Sequence, residues 1–244
     1  MRPVLLRWRG LTFWAYPTFL YFGLVAGVVA GNAAAHASGL DPFRVFVATF
    51  SLIPAALLGA RLLYVVCHWT LFRGNLRRIW TRSDGGAAQY GGLLLGIPLS
   101  WPVLALLDLP FGAFWDIGAF TILVGMILTR VGCLLNGCCG GRPSPWGINL
   151  PNRAGVWTRR VPTQCLEGSW AATLLAGAIL LWGAMPFAGA LFAFVVGGYC
   201  CGRLVLESLR DLPDGRRYTV QHAISLAMVL VSAAVLTAGW RLNG

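Results

Sequence analysis

The sequence contains no lysine, only eight acidic residues and three histidines, and charged side chains make up 11% of its 244 residues. So little charge excludes an ordinary soluble globular domain, whose surface needs far more polar cover. All 19 basic residues are therefore arginine, which fits codon bias, with a need for fixed planar charge as the second explanation. Histidine is nearly absent as a base. His36 and His68 lie near predicted helix ends with no carboxylate or thiol at a suggestive spacing, and only His222, opening the last apolar segment, stands as a substitute base. The seven cysteines (Cys67, Cys133, Cys138, Cys139, Cys165, Cys200 and Cys201) are odd in number and include two vicinal pairs, which argues against a disulfide framework. No Cys-x-x-Cys or His-rich spacing marks a metal site, and thiols in apolar helices commonly act as small hydrophobes. No metal and no cofactor are expected.

What is present is apolar: 57% of the residues are hydrophobic and the mean hydropathy is +0.70. Measured against the roughly 20 residues needed to span a bilayer, the chain divides into about seven segments. They run Phe13–Ala35, Phe43–Trp69, Ala87–Leu107, Phe111–Leu128, Thr163–Trp182, Phe187–Leu206 and Thr219–Trp240. This predicts an all-α polytopic membrane protein, one transmembrane domain over residues 1–244, with its helices around a lipid-accessible cavity. The N-terminus imitates a signal peptide, but the apolar run from Leu11 to Ala35 is too long for one and reads as a helix. Asp108–Pro110 and Gly183–Pro186 read as tight hairpins between helices. Of the two longer connections, Thr70–Gly86 is arginine-rich, and Thr129–Pro162, with Trp146 and Trp157, reads as an interfacial head or lid.

The net charge of +11 does not point to nucleic acid, because the arginines lie in loops between apolar runs rather than on one soluble face. With seven spans, most of them (Arg2, Arg7, Arg9, Arg73, Arg77, Arg78, Arg82, Arg142, Arg153, Arg159, Arg160, Arg210, Arg216 and Arg217) fall on one side of the membrane. The positive-inside rule makes that side cytoplasmic. Three others, Arg61, Arg130 and Arg203, sit in or at the ends of apolar helices. An arginine at membrane depth is costly and usually meets an anion in a bundle interior or watery cavity, with snorkelling to the headgroup layer as the alternative. Glu207 stands four residues after Arg203, on the same helix face, with Arg210 on a neighbouring part of that surface. A guanidinium forks onto carboxylate or phosphate oxygens. The glycines of Gly85-Gly86, Gly91-Gly92 and the stretch 137–141 allow either close ligand approach or tight helix packing.

Five ordered stretches complete the pattern: Gly85 to Gly96, Arg130 to Arg142, Pro145-Trp-Gly147, Pro162-Thr-Gln-Cys-Leu-Glu167 and Gly202-Arg-Leu-Val-Leu-Glu-Ser-Leu-Arg210. Together, with Tyr16–Gly23 and Arg61–Tyr64 in register, they resemble the motifs of the bacterial prolipoprotein diacylglyceryl transferase family over nearly the whole chain. The resemblance implies a seven-helix enzyme of the bacterial cytoplasmic (inner) membrane. Such an enzyme moves the diacylglyceryl group of phosphatidylglycerol to the thiol of a lipobox cysteine and releases glycerol phosphate. It implies further that Arg130 and Arg203 are essential, that Glu207 pairs with Arg203, that Asn136 and Gly141 form a signature, and that Tyr16 lies near the lipid. Arg210, Gly91 and Gly92 join them as substrate-binding residues, and Tyr90 as a hydrogen-bond donor to the headgroup. Arg61 reads as structural.

The departures from that family are specific. Tyr90 stands where a histidine normally precedes Gly-Gly, and Cys133 and Cys138 replace an asparagine and a glutamate. The loop that builds much of the family's soluble head is shortened, and the family's active face is extracytoplasmic where the arginine count points inward. One reading is therefore a divergent lipoprotein diacylglyceryl transferase. A second keeps the phospholipid donor but serves another acceptor, a small molecule or a lipid headgroup. A third, of a different class, is a soft-metal or redox membrane protein built on the thiols of Cys133, Cys138, Cys139, Cys200 and Cys201.

Overall fold

A computed structural model of the protein describes residues 4–80, 89–151, 155–211 and 219–243. Arg2, Arg82, Arg153, Arg216, Arg217 and Gly85-Gly86 lie outside the described residues. In chain order the elements are β1 (Val4–Trp8), β2 (Leu11–Trp14), α1 (Ala15–Ala37), α2 (Pro42–Cys67), the short α3 (Trp69–Phe72), α4 (Gln89–Leu106), α5 (Phe111–Asn136), β3 (Pro143–Pro151), β4 (Trp157–Arg160), α6 (Thr163–Leu181), α7 (Ala190–Ser208) and α8 (Val220–Asn243). Among the described residues six helices are long and apolar enough to cross a membrane, and Tyr90–Leu106 forms a shorter apolar helix. The chain is thus a mostly helical, polytopic membrane protein.

Two antiparallel hairpins, β1–β2 and β3–β4, interrupt the all-helical expectation. The first occupies residues whose arginines imitate a signal peptide. Arg9 and Gly10 both have positive φ, 46° and 83°, as a two-residue turn matched to strand twist requires. The second hairpin lies in the stretch 129–162, and Trp146, in the bulge of β3 between Pro143 and Ile148, is 95% exposed. The first helix accordingly begins at Ala15, two residues later than its apolar run suggests.

The chain forms two compact units, Met1–Ala34 with Trp115–Gly244, and Ala35–Phe114. In the second, α2 starts at Asp41, whose carboxylate accepts from the Phe43 and Arg44 N–H groups, with Pro42 just inside the helix. α2 packs on α4 at Gly59 and Gly91, so closely that a Cβ on either would collide with the other's carbonyl oxygen. Arg61 donates to the carbonyls of Ile79 (2.8 Å) and Arg78 (3.2 Å) and lies over the Tyr64 and Phe72 rings. It clamps the chain after α3, which accounts structurally for one of the three helix-borne arginines.

In the larger unit, α1 meets α5 along Gly23, Gly27 and Gly31, a Cβ on Gly23 falling 2.8 Å from the Gly125 carbonyl oxygen. This four-residue glycine spacing lets backbones approach where lipid supplies no hydrophobic drive. Asp116, buried on α5, reaches the start of α7 and accepts from the N–H groups of Gly189 (2.7 Å) and Phe192 (2.9 Å). A carboxylate there satisfies orphan donors and complements the helix dipole, fixing α7 against α5.

Candidate active site

α5, α6 and α7 each contribute charge to one buried cluster. Glu167, one helical turn into α6, has a fully buried side chain and touches three guanidiniums: Arg130 at 2.6 Å, Arg203 at 2.5 Å and Arg210 at 2.9 Å. Arg203 gives its other arm to Glu207, and Arg210 Nε lies 3.7 Å from the same carboxylate. The α7 spacing places Arg203, Glu207 and Arg210 on one face, while Glu167 joins that face to Arg130. Tyr199, buried one turn before Arg203, is a hydrogen-bond partner of Arg130. Burying so many charges is tolerable only because each finds a partner.

The three arginines are not equivalent. Arg203 is spent on two carboxylates and its side chain is 7% exposed, whereas Arg130 keeps 12% and Arg210 19%. Arg130 and Arg210 therefore keep more exposed surface than Arg203. Three guanidiniums and two carboxylates leave one positive charge over.

Beside this cluster lies a loop turned by the end of α5. Gly137, with φ 69°, caps the helix. The Cys138 N–H donates to the Cys133 carbonyl and the Gly137 N–H to the Leu134 carbonyl, both at 3.2 Å, the pair of bonds that closes a glycine-terminated helix. Such a cap brings the side chain four residues before the glycine against the one immediately after it, here Cys133 against Cys138. Cys139, also with positive φ (60°), turns its thiol into the same group, and the three sulfurs lie within 4.8 Å of one another. The chain reversal at Gly137 thus assembles thiols whose linear spacing shows no familiar motif. Arg130 Nη1 is 4.0 Å from Cys133 Sγ. Hydrogen bonds from the Cys133 and Cys138 thiols, then the charges of Arg210 and Arg130, hold the Cys139 thiol below the ordinary thiol range against the opposing effect of burial.

The loop is anchored through its backbone. Gln164 donates to the Cys138 carbonyl (2.7 Å) and Thr163 to that of Cys139 (2.8 Å). Gly141 N–H donates to Val161 O, and Arg142 N–H to Leu209 O. Arg160, at the foot of the second hairpin, pairs with Asp211 at 2.5 Å and donates to the Gly141 carbonyl. A Cβ on Gly141 would lie 2.5 Å from Val161 O and 2.9 Å from Leu209 O, so this glycine is needed for packing.

Of the residues expected from sequence, the structure brings together Arg130, Arg203, Glu207 and Arg210. Tyr16 starts α1 within electrostatic reach of Arg130 and the three thiols, with its backbone against Gly132. Asn136 is exposed at the end of α5. Tyr90, buried, with Gly91 and Gly92 belongs to the other unit, where Gly91 serves the α2–α4 packing. His222 is engaged with the Thr219 N–H and hydroxyl at the start of α8. Sequence reasoning singled out neither Glu167 nor Tyr199.

The family model described as Prolipoprotein diacylglyceryl transferase matches residues 3–238. The chain is similar to proteins named phosphatidylglycerol--prolipoprotein diacylglyceryl transferase. That of Rhodococcus jostii is 29% identical over 91% of this chain and 68% of its own length. That of Mycolicibacterium paratuberculosis is 30% identical over 81% of this chain, and that of Streptococcus pyogenes 29% over 86%. The chain spans about half the length of the mycobacterial relative, 52%, and 84% of the streptococcal one.

Proposed function

The chain belongs to the prolipoprotein diacylglyceryl transferase family, and on that premise we propose that it transfers the diacylglyceryl group of phosphatidylglycerol to the cysteine thiol of a lipobox-bearing prolipoprotein, releasing glycerol phosphate. The observation that carries this reading is the buried cluster of Arg130, Arg203, Arg210, Glu167 and Glu207 with its single surplus positive charge. A phosphodiester carries one negative charge and would neutralise it. When the glyceryl carbon–oxygen bond breaks, the departing phosphate gains negative charge. Fixed guanidinium donors in a dry site stabilise that charge without reorganising, each donor being worth about 10²–10³ in rate.

In this scheme Arg130 and Arg210 meet the phosphate, while Arg203, held by Glu207, keeps Glu167 in position between them. Tyr16 and Asn136 stand at the approach. The resemblance alone assigns Tyr90, Gly91 and Gly92 to the headgroup. The β3–β4 hairpin serves as the interfacial head, its tryptophans suited to the headgroup layer, in the bacterial inner membrane.

The test is transfer by the detergent-solubilised chain from phosphatidylglycerol labelled in its acyl chains to a lipobox peptide. Label on the peptide with stoichiometric glycerol phosphate is expected, and its loss in Arg130→Ala. Tyr90→Phe should weaken turnover severalfold if the hydroxyl serves the headgroup. Label that leaves phosphatidylglycerol but never reaches the peptide would overturn the lipoprotein acceptor in favour of another one. No turnover of phosphatidylglycerol at all would overturn the donor.

A further inference from the structure

We propose that Cys133, Cys138 and Cys139 bind one Zn(II) ion whose open fourth position takes the acceptor thiol as a thiolate. The second half of this statement rests on the transferase reading above. The first half rests on geometry alone.

Three sulfurs within 4.8 Å of one another are close to what a thiolate zinc site needs. Zn–S bonds of about 2.3 Å in a tetrahedron set the sulfurs about 3.8 Å apart, so the thiols have to close in by no more than about 1 Å. The backbone that carries them is already fixed by the helix cap at Gly137 and by the Thr163 and Gln164 side chains. Ligand-bearing backbone held from outside is what a precise metal site requires. Cys133 is buried, whereas Cys138 and Cys139 are only half-buried, so the two loop thiols keep some access from outside. Three protein ligands with one open position is the form of a catalytic rather than a structural zinc site.

Charge agrees with this assignment. Zinc with three thiolates carries one negative charge, and with a fourth it carries two. Arg130, 4.0 Å from Cys133, sets a guanidinium beside those thiolates. Soft thiolate ligands also select a thiophilic cation over magnesium or calcium.

The chemistry asks for such an ion. Diacylglyceryl transfer to cysteine alkylates sulfur, and the attacking sulfur has to be an anion. The chain has Tyr90 where the family it resembles carries a histidine, and zinc coordination deprotonates a thiol outright. The acceptor thiol would bind zinc and lose its proton to water. A sulfur lone pair would then form the new bond to the glyceryl carbon. The carbon–oxygen bond breaks with its pair going to the phosphate oxygen beside the arginines, leaving a thioether and glycerol phosphate. Zinc is neither oxidised nor reduced.

The experiment uses the full chain in detergent under reducing conditions, stripped of metal and reloaded with Zn(II), or with Co(II) as the spectroscopic probe. One metal per chain is expected, with thiolate-to-Co(II) charge-transfer absorption that grows by one thiolate on addition of a lipobox peptide. A peptide carrying serine in place of its cysteine should leave that absorption unchanged. Cys138→Ser and Cys139→Ser should bind metal at least about 100-fold more weakly, and Cys201→Ser, outside the triad, as the parent does. Less than one metal per chain, equal affinity in the triad variants, or no spectral response to the thiol peptide would each overturn the proposal. Transfer by metal-free protein at the zinc-loaded rate would overturn it while leaving the transferase reading intact. Stoichiometric zinc and thiol binding by a chain that never consumes phosphatidylglycerol would support the site and sink the transferase reading instead.

Discussion

Glu167→Gln removes a negative charge shared by three guanidiniums while keeping nearly the same shape. In the parent, Glu167 is the common partner of Arg130, Arg203 and Arg210, and its side chain is fully buried. The substitution raises the cluster's net charge from one to two and turns an amide NH2 donor towards groups that can only donate. Breaking a buried ion pair by removing one partner costs about 3–5 kcal/mol. Because Glu207 still holds Arg203 and lies near Arg210, the three losses do not add, and we expect the upper end of that range, about 5 kcal/mol. For a chain of this size each kcal/mol moves Tm by about 2–4 °C, so the variant should melt roughly 10–20 °C below the parent. Tryptophan fluorescence during thermal unfolding in detergent reads this directly. Glu167→Asp keeps the charge but shortens the reach, and should fall between the two. A Glu167→Gln protein melting within about 2 °C of the parent would refute the view that this carboxylate holds the cluster together.

Arg210→Lys keeps a charge but loses the planar fork, and phosphatidylglycerol turnover should drop about 100-fold, measured as glycerol phosphate release. Gly137→Ala forces a side chain into φ 69° and should cost about 1 kcal/mol, seen as a Tm lower by about 2–4 °C. Asp116→Asn leaves only one acceptor for two N–H groups at the start of α7 and should lower stability by about 1–2 kcal/mol in the same assay.

Part of this site was legible from the linear sequence because it is local. Arg203, Glu207 and Arg210 share a helix face by spacing alone, and an arginine such as Arg130 inside an apolar run announces an anion. Glu167 was not legible in that way, since it meets Arg203 across 36 positions. One signal pointed to it. The chain holds only two glutamates, and one within an apolar helix must find a cation. The helices followed from apolar length, whereas both hairpins were hidden: Val4–Trp8 is too short and too close to arginines to read as a strand until the Arg9-Gly10 turn is weighed. The glycines read as serving either ligand approach or tight packing, and at Gly91 and Gly141 neighbouring backbone leaves no room for a Cβ.

The thiols show why a site of this kind can change its chemistry without losing its fold. The loop from Gly137 to Gly141 is held by bonds to its own carbonyls and N–H groups from Gln164, Thr163, Val161, Asp211 and Arg160, and these bonds do not depend on which side chains stand at 133, 138 and 139. The Arg–Glu cluster, in turn, pairs its carboxylates with arginines from α5, α7 and the residues just after α7, and meets the thiol loop where Arg130 nears Cys133 and where Arg210 bridges Gly141. The charged cluster and the thiol-bearing loop are thus neighbouring parts of one unit, each with its own backbone support. Cysteines can occupy the positions where relatives are expected to carry asparagine and glutamate, because the backbone that aims them is fixed by the helix cap and by neighbours outside the loop.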